Sequence, residues 1–197
     1  MKKIIKKVSI ILILVTTWFN FVAANENILS IGSENAKVTV KVFSSLTCPH
    51  CANFHNNIFE DLKKEYIDTK KVKFEHHSFP LDLAALNAEL IIRSIENKEK
   101  SFQFLNVIYE KQNQWAVGSD INKINNYIKK IGIEFGLNNE RMDKFIKDEK
   151  IQDQILNERI DAQKNYKISS TPTIFINEKK YEGKHEFKAF KKALDKI

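Results

Sequence analysis

The chain has 197 residues, with 32 Lys plus Arg against 25 Asp plus Glu, a formal net charge of +7 and 43% hydrophobic residues. That length holds one or two small domains with a packed core, and five Gly and three Pro exclude collagen-like and low-complexity chains. The basic excess comes from Lys, with Arg only at positions 93, 141 and 159, and base-edge readout leans on Arg, so no nucleic-acid partner is expected.

The first 24 residues carry Lys2, Lys3, Lys6 and Lys7, then an apolar run from Val8 that continues loosely to Val22, then Ala23 and Ala24. This is the tripartite pattern of a secretory signal peptide cut after Ala24, and it predicts export to the periplasm. A spanning helix needs about 20 apolar residues. Thr16, Thr17 and Asn20 interrupt this run, which favours cleavage over an uncleaved anchor. Without its four lysines the remainder carries 28 basic residues against the same 25 acidic ones, so most of the excess charge belongs to the export signal. Exported cysteines meet an oxidising environment, where they pair or do redox chemistry. Only Cys48 and Cys51 are present, and a loop that short removes little unfolded-state entropy when closed. The pair is placed for chemistry rather than for a structural framework.

After a polar lead, residues 37–43 alternate β-branched and polar side chains and predict a strand. It runs into Ser44-Ser45-Leu46-Thr47-Cys48-Pro49-His50-Cys51. Phe54, Ile58, Leu62 and Tyr66 then recur every four residues with Phe59 beside them, which predicts a helix starting inside the cysteine motif. A second strand is expected over 72–79, giving a βαβ start.

From 82 to 166 the pattern changes to helical periods, with no strand. Leu83, Leu86, Leu90, Ile91 and Ile95 form one apolar face, Phe102, Leu105, Ile108 and Tyr109 a second, and Ile121, Ile124, Ile128, Ile131 and Phe135 a third. Gly118 and Gly136 mark breaks, and shorter helices are expected over 139–148 and 151–164. Residues 82–166 thus read as an all-helical insertion in an α/β domain made of 25–81 and 167–197. The tail returns to β character, with strands over 170–177 and 179–182 and a final helix over 186–196 whose Phe187, Phe190 and Leu194 face inward.

This order, with Cys48-Pro49-His50-Cys51 after the first strand and Thr171-Pro172 opening the third, resembles the thioredoxin superfamily, and within it the DsbA-like thiol:disulfide oxidoreductases. The resemblance covers nearly all of residues 36–197. It implies a thioredoxin-like fold with an inserted all-helical domain, a redox-active Cys48–Cys51 disulfide, no cofactor and no metal. Pro172 is then expected to be cis beside the dithiol, leaving the Thr171 backbone to pair with an extended substrate; a trans proline opening an edge strand is the alternative. Thr at 171 also occurs in isomerase-type relatives, so it leaves the redox direction open. The implied partners are reduced or unfolded exported proteins and a quinone-linked membrane reoxidase of DsbB type, acting with a monomer.

The residues carry chemistry of their own. Only a thiolate attacks a disulfide, and Cys48 at a helix N-terminus meets unpaired N–H groups and the helix dipole. Pro49 suits the first turn because it lacks the donor that would go unpaired there. Cys51, one turn in, is expected to be the buried resolving thiol. One pKa unit corresponds to about 1.36 kcal/mol, whereas a helix terminus supplies at most about 2 kcal/mol. A larger shift needs further hydrogen bonds, and the His50 ring is the expected donor. A stabilised thiolate makes the disulfide a stronger oxidant, so the motif favours donation of disulfides.

Other readings follow from the same residues. Zinc would need two more ligands from His50, His55, His76, His77 or His185, and His76 and His77 point to opposite faces of a strand. Covalent haem fails because Ala52 follows Cys51. His55 reads as a surface or satisfied histidine before a catalytic one, and Trp115 as packing before a substrate border. An isomerase of DsbC type carries a separate dimerisation domain, and only residues 25–36 precede the first expected strand. A non-catalytic holdase with a merely structural bridge is the rival from a different class.

Overall fold

The structure, a computed structural model, describes residues 28–197; the signal segment expected over 1–24 lies outside the described residues. Five strands form one mixed sheet in the order β1-β3-β2-β4-β5. The central strand β2 (Val38–Ser44) alternates buried and half-buried residues and then buries its last three, where both faces are covered. It pairs in parallel with β3 (Val72–Ser78), with Val42 opposite His76, and antiparallel with β4 (Thr173–Ile176). The edges are β5 (Lys179–Lys180) and β1 (Leu29–Gly32).

Strand β1 corrects the expectation of a plain polar lead. Its four residues are half-buried or exposed, too short for alternation to register, and it adds antiparallel to β3. Gly32 ends it at φ 106°, and a Cβ there would come within 2.5 Å of the Val72 carbonyl oxygen, so the close approach to β3 requires glycine. The tail strands are shorter than expected, because Ser170 to Pro172 turn into the sheet before β4 begins.

Between β2 and β3 the chain forms one continuous helix. It begins as α1 (Pro49–Phe54), widens to a π-helical His55–Phe59, returns as α2 (Glu60–Leu62) and widens again over Lys63–Ile67. The spacing of four has its explanation here. A regular α-helix with 3.6 residues per turn lets a four-residue repeat drift by about 40° at each step, and the wider π turns cancel that drift. Phe54, Ile58, Leu62 and Tyr66 therefore all stay buried on one face.

Seven further helices occur among the described residues. Six lie between β3 and β4: α3 (Leu83–Arg93), α4 (Lys98–Glu110), α5 (Gln112–Trp115), α6 (Ile121–Glu134), α7 (Asn139–Ile146) and α8 (Glu149–Asn165). Asp82 caps α3 by accepting from the Ala85 N–H, which sends Leu83 outward at 53% exposure against the expectation that it faces the core. Leu86, Leu90 and Ile91 are buried as expected. Trp115 is fully buried, and its Nε1–H donates to the Ile108 carbonyl at 2.8 Å, so it packs rather than borders a surface. The last helix, α9 (Phe187–Leu194), buries Phe190 and Leu194 while Phe187 stays half-exposed at its first turn.

Most of these helices share one core with the sheet, while the buried residues of α8, Ile155 and Ala162, pack in two smaller clusters. Phe59 lies edge-on to Phe74 at 4.8 Å between ring centroids and stacks on Phe102 at 5.9 Å, joining the first helix, β3 and α4. Each such ring buries a large apolar area, and the aromatic contacts add about 0.5–1.5 kcal/mol apiece.

Candidate active site

Strand β2 ends in a tight turn, Cys48 N–H to Ser45 carbonyl at 3.1 Å, that delivers Cys48 to the helix start. Cys48 is the N-cap, extended at φ −78° and ψ 119°, and Pro49 is the first helical residue. The Cys48 carbonyl accepts from the N–H groups of Cys51 and Ala52, both at 3.1 Å, so the first turn closes over it. Both cysteines are free thiols. Cys48 is 7% exposed and Cys51 1%. Across from them the Thr171–Pro172 bond is cis, as the resemblance implied, and the Cys48 thiol donates to the Thr171 carbonyl at 3.4 Å.

The two sulfurs are pushed in opposite directions. The Cys48 thiol is lowered from its ordinary 9.0 to about 5, chiefly because the Cys51 thiol hydrogen-bonds to its anion; burial opposes the shift, and the Thr171 hydroxyl and the backbone N–H groups of Cys51 and His50 assist it. Burial, and then the neighbouring Cys48 anion, push Cys51 far above the ordinary thiol range. At neutral pH one sulfur is therefore an anion and the other its hydrogen-bond donor. Thr171 Oγ1 is buried without a partner in the neutral dithiol, so it can turn its O–H to the sulfur when the anion forms.

The expected site residues come together with one difference. Cys48, Cys51, Thr171 and Pro172 share the site, and Pro49 and His50 sit exposed at its rim. The His50 ring was expected to donate to the thiolate, yet among the described residues it makes no such bond, and the backbone N–H of His50 contributes instead. Its ring lies near His185, whose pKa is lowered by burial first and by His50 second. His55 is a satisfied histidine, buried against Phe59 and Tyr109 with Asn106 Oδ1 2.6 Å from its Nε2.

The profile of the thioredoxin family matches residues 24–196. The crystal structure of Wolbachia pipientis alpha-DsbA1 superposes with a TM-score of 0.80 at 29% identity, covering 87% of this chain and 91% of that one. The chain is a DsbA-like member of the thioredoxin family. A Rickettsia bellii protein whose name marks it a candidate protein-disulfide oxidoreductase is 30% identical over 172 residues, 87% of this DsbA-like chain and 65% of the relative. The chain thus spans just under two thirds of that relative's length. Bacillus subtilis disulfide bond formation protein D is 27% identical over 178 residues, 84% of this chain and 75% of that protein.

Two open grooves flank the DsbA-like dithiol. One, about 510 Å³, begins at Thr47 and is lined by Asp82, Leu83, Ala116, Gly118 and Ile121. The other, about 200 Å³, lies past the cis proline between Ser170, Pro172, Tyr181 and His185.

Sequence reasoning missed three residues that grip the dithiol loop. Thr47 Oγ1 donates to Asp82 Oδ2 at 2.7 Å, and Gln112 Nε2 donates to the Leu46 and Cys48 carbonyls at 2.7 and 3.0 Å. Asp82 had a local signal, an acidic residue just before an apolar-periodic run. Thr47 and Gln112 had none, since their partners lie 35 or more residues away.

Proposed function

We propose that the chain is an exported protein-disulfide oxidase that passes its Cys48–Cys51 disulfide to newly exported proteins. The observation that carries this reading is the opposed titration of two cysteines one helical turn apart. A client thiolate attacks Cys48 Sγ, the Cys48–Cys51 bond breaks, and Cys51 leaves as a thiolate that takes up a proton. A second client thiolate then attacks the client sulfur of the mixed disulfide and expels Cys48, which leaves readily because its anion is stabilised. Two electrons pass from client to enzyme, and a quinone-linked membrane partner of DsbB type takes them up to restore the disulfide. The Thr171 backbone beside Pro172 pairs with the extended client, and the grooves at Thr47 and Pro172 hold its flanking residues. The periplasm is the compartment where such a cycle has its substrates, and the protein works there as a monomer.

The pH dependence has a definite sign. The folded Cys48 thiol titrates at about 5 instead of 9.0, so the stabilisation of the reduced form is complete above pH 9, shrinks below it, and is gone below about pH 5. Ultraviolet absorbance of the thiolate should therefore rise with a midpoint near pH 5. The deciding experiment supplies oxidised protein to a fully reduced client and, separately, to a scrambled one. Rapid oxidation of the reduced client is expected; rescue of the scrambled client alone would make the protein an isomerase.

A further inference from the structure

Gln112 sits in α5, against the dithiol loop, with 8% of its surface exposed. An amide nitrogen has two N–H bonds, and Gln112 has both directed to the loop, one to the Leu46 carbonyl at 2.7 Å and one to the Cys48 carbonyl at 3.0 Å. The helix that carries it cannot easily shift, because Trp115 at its other end is fully buried and bonded to the Ile108 carbonyl. We propose that Gln112 is a positioning residue for the dithiol, fixing from the helical segment the peptide plane behind Cys48 so that the first-turn N–H groups face the sulfur.

The physical case rests on what the Cys48 carbonyl does. It belongs to the residue whose sulfur reacts, and it already accepts the N–H groups of Cys51 and Ala52. Its oxygen carries partial negative charge close to a sulfur that must itself become an anion. Donation from Gln112 draws that charge away and orients the peptide bond into Pro49, from which the N–H directions of His50 and Cys51 follow. Thr47, between the two clamped carbonyls, is tied to Asp82 at the start of the same helical segment. The loop is thus held at Leu46, Thr47 and Cys48 from outside the sheet, and the helices become part of the redox device rather than only a client surface.

The inference rests on the dithiol-exchange reading, and the test keeps the two apart. Gln112→Met preserves the side chain's length and approximate volume but has no donor. Its equilibrium constant for oxidising glutathione should fall roughly three- to tenfold, the effect of a lost hydrogen bond. The thiolate midpoint should rise by about half to one unit in step. Gln112→Asn, one methylene shorter and still polar, reaches at most one carbonyl and should fall between; it decides the matter if the Met variant fails to fold. A folded variant with the wild-type midpoint and equilibrium constant, even one with a lower melting temperature, overturns the proposal by leaving Gln112 a purely structural role. If wild-type protein fails to exchange with glutathione, the exchange reading falls, while the thiolate midpoint of the variants still reads the clamp.

Discussion

The dithiol and the His76–Glu89 pair are built on neighbouring strands, one at the end of β2 and the other on β3, yet their polar groups are handled in opposite ways. His76 Nε2 lies 2.8 Å from Glu89 Oε1, with the two side chains 3% and 2% exposed. Burial alone would raise the Glu89 pKa, but the charge and hydrogen bond of His76, with help from Arg93, leave it lowered. Each polar group there has its partner, and the pair has nothing left to react with. At the dithiol, one sulfur is anionic at neutral pH, a hydroxyl waits without a partner, and Pro49 and His50 open the rim to solvent. Buried groups without a partner occur elsewhere too, at Tyr109 OH and Glu158 Oε1; what sets the dithiol apart is that its open hydroxyl lies beside a reactive sulfur at the mouth of a helix.

Mutation should separate the two regions. Cys48→Ser is expected to abolish disulfide transfer in a client-oxidation assay while leaving the reduced protein's melting temperature nearly unchanged below about pH 5, where the thiolate contributes no stability; at neutral pH the melting temperature should fall with the lost anion. Retained transfer would mean that the thiol chemistry is incidental and would favour a holdase. Glu89→Ala should do the reverse. It leaves His76 Nε2 in the core without its partner and should cost about 1–3 kcal/mol in urea unfolding, with the glutathione equilibrium of the folded fraction unmoved. A large shift of that equilibrium would mean that the two regions are coupled.

A third test concerns His55, between the two regions. Burial, only partly offset by Asn106, lowers its pKa from 6.5 to about 4. A histidine that resists protonation when folded contributes stability above pH 6.5 that is lost as pH falls toward 4. The loss should reach on the order of 3 kcal/mol. Replacing His55 by Gln, which keeps a donor for Asn106, should flatten that part of the profile; an unchanged acid slope would move the cause elsewhere. The smallest effect is expected for His50→Ala, because the ring lies at the rim while the backbone N–H bears on the sulfur. A weakening of the oxidant by less than about tenfold is expected, whereas a complete loss of oxidising power would restore the ring to the role first expected of it.

Much of this arrangement could be read before any coordinates. Alternation located β2, a second strand was expected where β3 lies, and the cysteine motif at a strand-to-helix junction located the nucleophile. Thr171-Pro172 identified the opposite wall only through resemblance, since nothing local brings residue 171 to residue 48. Contacts made at long separation escaped for a physical reason. Gln112 looks like any polar residue in Gln-Asn-Gln-Trp, and its importance lies in two carbonyls more than 60 positions away. His55 likewise shows a polar side chain, and only the folded chain supplies Asn106, Phe59 and Tyr109 to bury it. Strand β1 escaped because four half-exposed residues carry too little pattern.

The widened turns after α1 also set an angle. Each residue of an α-helix advances about 100° around the axis, so an extra residue in a regular helix would rotate everything before it relative to everything after, and a widened turn absorbs that residue instead. The dithiol end of this helix keeps its phase with the buried body through two such turns, at His55–Phe59 and Lys63–Ile67. Removing one residue, such as exposed Asn57, would restore a more regular helix with better backbone bonds. It would leave Cys48 and Cys51 facing Thr171, whereas removing a residue while both widened turns persist would swing them by about 100°. The irregular turns hold the phase that points the sulfurs at the cis proline.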